Sequence, residues 1–242
     1  MVNNKLAGLV RRCVEDYNMI SDGDTIAVGV SGGKDSLTLL CALSSLREYH
    51  HKKFGLHAVT LDMGFSEEGA FAPVEKLCKN LSVPFTLRRT DFARLIFEER
   101  NEKNPCSLCA KLRRGALNTI ITELGIKKLA LAHHYDDAIE TFLLSMLYEG
   151  RLHCFQPVTY MDRTDTTQIR PMLYVSESMV IQNVKTHDLP IVYNPCPMNG
   201  ISKREEVKTL FKTLSAAYPD IKSKIFGAMQ RMPLKGWGTH QK

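Results

Sequence analysis

Ile26-Ala27-Val28-Gly29-Val30 is a short apolar run that stops at Ser31-Gly32-Gly33-Lys34-Asp35-Ser36, and a helical spacing of apolar residues takes over across 37–49. A strand that bends through two glycines straight into a helix constrains the fold strongly. The helix must carry the chain back before the next parallel strand can start. The alternation repeats. Strand-length runs at 54–62, 84–88 and 128–132 precede helical patterns at 70–80, 92–100 and 136–148, and a further helix over about 110–124 stops at Gly125. This order predicts an α/β chain with an open, mostly parallel sheet and helices on both faces.

The flanks are less regular. Residues 1–20 read as a helix, 168–174 as a fifth strand, 177–187 as a helix, and 207–217 and 221–229 as two terminal helices separated at Pro219. No repeat, low-complexity tract or Pro/Gly-rich linker interrupts the chain. Residues 1–242 are therefore expected to form a single domain with helical extensions at 1–20 and 203–232. A hydrophobic fraction of 44% with 24% charged residues excludes disorder, collagen and coiled coil as the main architecture. No apolar run approaches the ~18 residues of a membrane span. The first twenty residues carry Lys5, Arg11, Arg12, Glu15 and Asp16 in place of a signal-peptide core, so a cytoplasmic protein without a membrane partner is expected. The net charge of +6 permits a polyanionic partner without demanding one.

Ligands of such sheets sit at the carboxyl ends of strands. Three polar clusters fall there, at 31–36, 62–65 and 133–137, and are expected to surround one crevice. In the first, Gly32 and Gly33 let the backbone approach a ligand, free N–H groups at the helix start suit an anion, and Lys34, Ser31 and Ser36 add a charge and hydroxyls. The plainer alternative is a turn with a helix cap. The loop is not a Walker A motif, which needs glycine at Val28 and a hydroxyl residue at Asp35, and it is not GxGxxG. In the third cluster, His133-His134-Tyr135-Asp136-Asp137 leads to Glu140 and Thr141, and the three- and four-residue spacings bring the carboxylates together on a helix start. They could cap the helix, hold Mg²⁺ beside a phosphate loop, or join the histidines in a metal site.

The seven cysteines are an odd number, which in a reducing compartment favours thiols or metal ligands over bridges. Cys13, Cys41 and Cys78 fall in apolar helices and read as core, and Cys154 is left open. Cys106 and Cys109 have metal-ligand spacing ahead of a helix with Lys111, Arg113 and Arg114, whose charges favour thiolates. They could equally form a redox pair or stay idle. Cys196 stands alone between Pro195 and Pro197. Three thiolates would leave one iron of a cubane cluster without a protein ligand, although zinc on the same cysteines reads identically in a sequence.

The string SGGKDS after the first strand resembles the PP-loop, or N-type, ATP pyrophosphatases, as does the HxxDDxxET segment at 133–141, beginning at His134 or its neighbour. The resemblance implies an adenine nucleotide alpha hydrolase-like fold. It implies that Ser31, Gly32, Gly33, Lys34, Asp35 and Ser36 hold the pyrophosphate end of ATP, with Lys34 and Asp35 catalytic. His134 and Asp137 would bind nucleotide, Asp137 with Mg²⁺, and Asp62 would lie at the nucleotide edge. PCSLCAKLRRG at 105–115, IRPMLYVSE at 169–177 and the late cysteine are similar to the tRNA 2-thiocytidine synthetase family over most of the chain. Asn199 stands where better-known members tend to carry another cysteine, and 152–168 fits loosely.

That resemblance implies an ATP-dependent tRNA thiolase with a [4Fe–4S] cluster on Cys106, Cys109 and Cys196, which are also counted as catalytic. The base carbonyl is adenylated and then receives sulfur at C2 of cytidine 32. It implies tRNA and a sulfur donor, a cysteine desulfurase or sulfide, as partners, with a homodimer as a candidate assembly. Candidate RNA-facing cations are Arg113, Arg114, Arg170, Lys203, Arg204, Lys222, Lys224, Arg231 and Lys235, with Trp237 beside them. Thiolation of a uridine, a lysidine-forming type of ligase, and a non-catalytic nucleotide sensor are the alternatives.

Overall fold

The computed structural model describes residues 2–100, 105–198 and 203–231. Its elements run α1 (Asn4–Asp16), β1 (Thr25–Gly29), α2 (Lys34–Tyr49), β2 (Gly55–Asp62), α3 (Ala72–Asn80), β3 (Phe85–Arg89), α4 (Phe92–Arg94), α5 (Pro105–Glu123), β4 (Lys128–Ala130), α6 (Tyr135–Glu149), β5 (Val158–Met161), β6 (Thr166–Ile169), α7 (Glu177–His187), α8 (Lys203–Ala217) and α9 (Ile221–Arg231). The strands form one sheet in the order β3-β2-β1-β4-β6-β5. All pairings are parallel except β5 with β6. β1 pairs with β2 on one side and β4 on the other, so the chain reverses direction across the sheet between β1 and β4. Such a switch point opens a crevice at the carboxyl ends of the two strands.

The sheet is covered on both faces by residues of alternating side. Ile26, Val28, Leu56, Ala58, Ala130 and Ile169 belong to the large core shared with α1, α2, α3, α6 and α7. Ala27, Val59 and Leu129 turn the other way and pack against Leu117, Ile120 and Ile121 of α5. α1 is capped by Asn3, whose side chain accepts from the Leu6 N–H at 2.8 Å, so the helix is shorter at both ends than the predicted 1–20. Among the described residues no helix is long and apolar enough to cross a membrane.

Several boundaries differ from the expectation. α5 starts at Pro105, because proline suits a first helical position, and so Cys106 and Cys109 lie on its first two turns and not in a loop before it. The helix predicted over 92–100 is a single α-turn followed by a π-turn over Leu95–Glu99. β6 ends at Ile169 ahead of Pro171, which has no N–H for the ladder, so the predicted strand at 168–174 becomes a turn after its first two residues. β5 was not foreseen; it is a short edge strand with little apolar patterning.

Ile121 is fully buried where α5 meets the sheet. Ile121→Ala is expected to lower stability by about 2–5 kcal/mol, the usual cost of a cavity of this kind. Urea denaturation measures this.

Candidate active site

The bend after β1 is built by its own hydroxyls. The Ser31 N–H donates to Ser36 Oγ at 3.1 Å, and Ser36 Oγ donates to the Gly33 carbonyl at 2.9 Å. Gly33 caps α2 without a side-chain hydrogen bond, so the first N–H groups of α2 keep their capacity for an anion. Gly32 sits at φ +81°, and a Cβ there would lie 2.8 Å from Val192 Cβ. The Val192 N–H donates to the Gly32 carbonyl at 3.0 Å. The loop is therefore clamped to the segment that carries Cys196.

Lys34 faces carboxylates. Its ammonium lies 2.8 Å from Asp35 Oδ1 and 3.1 Å from Glu177 Oε1. Burial disfavours the charge, but Asp35 and Glu177 outweigh burial and raise the pKa, so Lys34 stays protonated.

At the start of α6, His134 and Asp137 form a reciprocal cap. The Asp137 N–H donates to His134 Nδ1 at 3.4 Å, and the His134 N–H donates to Asp137 Oδ2 at 3.0 Å. His134 Nε2 lies 3.6 Å from Asp35 Oδ1, which joins this cap to the loop. Two basic residues close on the acidic cluster. Arg204 donates to Asp137 Oδ1 at 2.6 Å and to Thr141 at 3.2 Å, and it lies 3.7 Å from Glu140. Lys222 donates to Asp136 Oδ1 at 2.5 Å. Asp136 also accepts from the Glu177 N–H at 2.7 Å. Burial would raise the Asp136 pKa, but these two donors hold it below the ordinary carboxylate range. Glu140 is different. Burial outweighs Arg204 and Lys208 and pushes its carboxyl up to about 7.

A cavity of about 350 Å³ opens at the switch point and collects all three polar clusters. Ser31, Asp35 and Ser36 line it from the loop, Asp62 from the end of β2, and His133 and Asp137 from the start of α6. Cys109, Arg113 and Cys196 line the same space. Asp62 is buried, accepts from the Gly64 N–H at 3.0 Å, and leaves Oδ2 without a hydrogen bond although Arg89 Nε is 3.3 Å away. Burial raises the Cys109 thiol above its ordinary range, and Cys196 and Cys106 raise it further, while Arg113 opposes both. Cys106 is exposed one helical turn before Cys109.

Ser31, Asp35, Ser36, Asp62, Asp137, Cys109 and Cys196 thus share one cavity. Gly32 and Gly33 shape its loop, whereas Lys34 turns to Glu177. His134 serves the cap, and its neighbour His133 lines the cavity instead. Burial and then Arg170 lower the His133 pKa to about 4, so the ring is neutral at ordinary pH. The expectation left the choice between His134 and its neighbour open, gave Arg204 an RNA-facing role, and assigned no role to Glu177, the last residue of the 169–177 segment. The doublet hides which histidine enters the cavity, and the partners of Arg204 and Glu177 come from elements distant in the chain.

The candidate RNA cations separate. Arg170 is buried, donating to the Gln156 carbonyl at 2.6 Å and lying 5.0 Å from the Phe155 ring, so it holds the fold and faces no partner. Arg204 and Lys222 are committed to the acidic helix, and Lys203 pairs with Glu206 at 2.8 Å. Arg113, Arg114, Lys224 and Arg231 are exposed. Lys235, Trp237 and Asn199 lie outside the described residues. Cys13, Cys41 and Cys78 are buried as expected, and Cys154 is buried too, with its thiol 3.4 Å from the Ala138 carbonyl.

Residues 3–205 match the PP-loop domain. The chain is 40% identical over 228 residues to a tRNA-cytidine(32) 2-sulfurtransferase of Syntrophotalea carbinolica, covering 93% of this chain and 88% of the relative. It is 38% identical to a protein of the same description from Geobacter sulfurreducens, with the same coverage. In three dimensions it is similar to the U34-tRNA thiolase NcsA from Methanococcus maripaludis, solved with its [4Fe–4S] cluster. That match has a TM-score of 0.73 at 22% identity and covers 93% of this chain and 77% of the other, and it shows the shared fold.

Two outcomes follow from this geometry. Gly32→Ala places a side chain at φ +81° and against Val192. It is expected to destabilise the protein by about 1–3 kcal/mol and to speed alkylation of Cys196 as its segment lifts; denaturation and timed alkylation with mass spectrometry measure the two effects. Glu140 holds its proton up to about 7 when folded, against 4.5 for an ordinary glutamate. Between those values the folded chain binds more protons than the unfolded one, so stability falls as pH rises through the window. Glu140→Gln is expected to flatten that fall and to be the more stable form at pH 8, by on the order of 3 kcal/mol; denaturation across pH 4–8 without nucleotide reads it out.

Proposed function

The chain belongs to the tRNA-cytidine(32) 2-sulfurtransferase family of PP-loop proteins, and on that premise we propose that it thiolates C2 of cytidine 32 in tRNA at the expense of ATP. The observation that carries this reading is a single cavity that joins an anion-binding loop, an acidic helix start and two cysteines. An adenylating site and a sulfur-bearing site must face the same carbon, and here both line one space.

ATP lies with its phosphates against the bend at 31–36. The uncapped N–H groups of α2 neutralise the pyrophosphate that leaves when the base carbonyl oxygen attacks the α-phosphate, and the protonated Lys34 adds its charge by exchanging Glu177 for the phosphate. Asp35 and Asp137 line the cavity with the hard oxygen donors that Mg²⁺ takes, and Asp62 brings a buried carboxylate, paired with Arg89, to the nucleotide edge. Arg204 and His134 orient Asp137. Cys106, Cys109 and Cys196 fit a [4Fe–4S] cluster by donor chemistry. They are soft sulfur ligands, two of them line the cavity, and the Cys109 thiol feels the charge of both others. A cluster on these three cysteines would supply an iron open to sulfur. Arg113 beside Cys109 favours the thiolate form that ligation needs. Sulfide-level sulfur would bond to C2 as the C2–O bond breaks and AMP leaves with the former carbonyl oxygen. Sulfide supplies that sulfur directly, and a persulfide from a cysteine desulfurase supplies it with a thiol reducing its S–S bond. The exposed Arg113, Arg114 and Lys224 contact the tRNA backbone, and the chain acts as one domain.

Nucleosides from tRNA of cells with and without the gene, analysed by mass spectrometry, test the reading. Loss of 2-thiocytidine on deletion is expected, with restoration by the intact gene and not by Cys109→Ala or Cys196→Ala. Loss of another thionucleoside replaces the substrate, and an unchanged profile removes the thiolase assignment.

A further inference from the structure

We propose that Glu15, His50 and His51 form a divalent transition-metal site, separate from the cavity, that fastens the end of α1 to the end of α2. One ligand atom from each of the three residues lies within 4.8 Å of the others. Glu15 comes from the last turn of α1, His50 is the carboxyl cap of α2, and His51 follows it. The imidazole rings of His50 and His51 lie 4.4 Å apart.

The second observation is an unsatisfied nitrogen. His50 is 3% exposed, and its Nε2 is buried with no hydrogen-bond partner. A buried, unpaired ring nitrogen is costly, and its presence in a native fold asks for a partner. The other nitrogen sits between a donor and an acceptor. His50 Nδ1 accepts from the Lys52 N–H at 3.2 Å and lies 3.3 Å from the Lys52 carbonyl. A metal on Nε2 selects the tautomer with the proton on Nδ1, directed to the carbonyl, and the Lys52 N–H then gives up its bond to the ring.

Two imidazoles and a carboxylate suit Zn²⁺, Co²⁺ or Ni²⁺, with water completing the shell. The exposed Glu15 and His51 side chains can rotate inward by the small amount that a shared ion requires. Competition is weak. Arg11 Nε is 3.8 Å from Glu15 Oε1 in a half-exposed pair, and the Lys52 ammonium is occupied by the Ile20 carbonyl at 2.8 Å. The α2 helix starts at the cavity and runs away from it, so the site sits at the opposite pole of the sheet and serves the fold, not the chemistry.

Co²⁺ titration of the full-length protein tests this. Cobalt on imidazole and carboxylate gives weak visible bands, whereas cobalt on the cysteines adds an intense near-ultraviolet thiolate band, so the two sites are read separately. The wild type is expected to show one equivalent of the thiolate-free signal, and Zn²⁺ to raise its thermal midpoint. His51→Ala and Glu15→Gln, both at exposed positions, should fold normally, weaken that signal at least tenfold, abolish the Zn²⁺ shift and leave tRNA thiolation unchanged. Thiolate-only spectra in the wild type, or variants that bind cobalt as the wild type does, would overturn the proposal.

Discussion

A backbone contact organises this molecule. Gly32 and Val192 meet across 160 positions of chain, joined by one N–H···O=C bond, at a distance that no Cβ on residue 32 would permit. The bend that receives an anion and the segment that delivers Cys196 are thereby held as one unit. A side chain at residue 32 would part them by its own width. The second glycine, Gly33, has room around it and contributes in another way, by opening α2 with no side chain over its first N–H groups.

Around that contact the charges are arranged as a clasp. α6 presents Asp136, Asp137 and Glu140 on its first turns, a density of carboxylate that repels itself unless cations answer it. The answers come from elements late in the chain: Arg204 at the start of α8 and Lys222 at the start of α9. α7 adds the Glu177 carboxylate on Lys34 and the Glu177 N–H on Asp136. These pairs are partly or fully withdrawn from water, where charge-assisted hydrogen bonds are strong and geometry is fixed. They account for why the carboxyl-terminal helices pack where they do. They also leave the site with carboxylates in different states, with Asp136 ionised by its partners and Glu140 pushed toward neutrality by burial.

The same burial logic separates the cysteines. Cys41 and Cys78 sit in the core with their thiols pushed up to about 11, and Cys154 to about 12, inert at ordinary pH. Cys109 is raised too, with Arg113 one turn along α5 opposing the shift, as Arg170 does for the more deeply buried Cys154. Position on a helix start at a cavity wall, and not the CxxC spacing alone, distinguishes it.

Much of this was legible in the residues. Apolar runs alternating with helical periodicity determined a parallel α/β sheet, since no other arrangement lets each short strand be buried on both faces. Ser31–Ser36, Asp62 and the 133–137 segment were readable as one crevice because each follows a strand, and strand ends converge whatever the loops do. What the sequence could not decide were the partners of those residues. Whether His133 or His134 enters the cavity depends on which of them the helix cap consumes. Whether Arg170, Arg204 and Lys222 face a polyanion or the protein's own carboxylates depends on packing of elements distant in the chain. Local pattern determines which side chains lie at a strand end; only the tertiary structure, by burying some charges and pairing others, decided which remain available for chemistry.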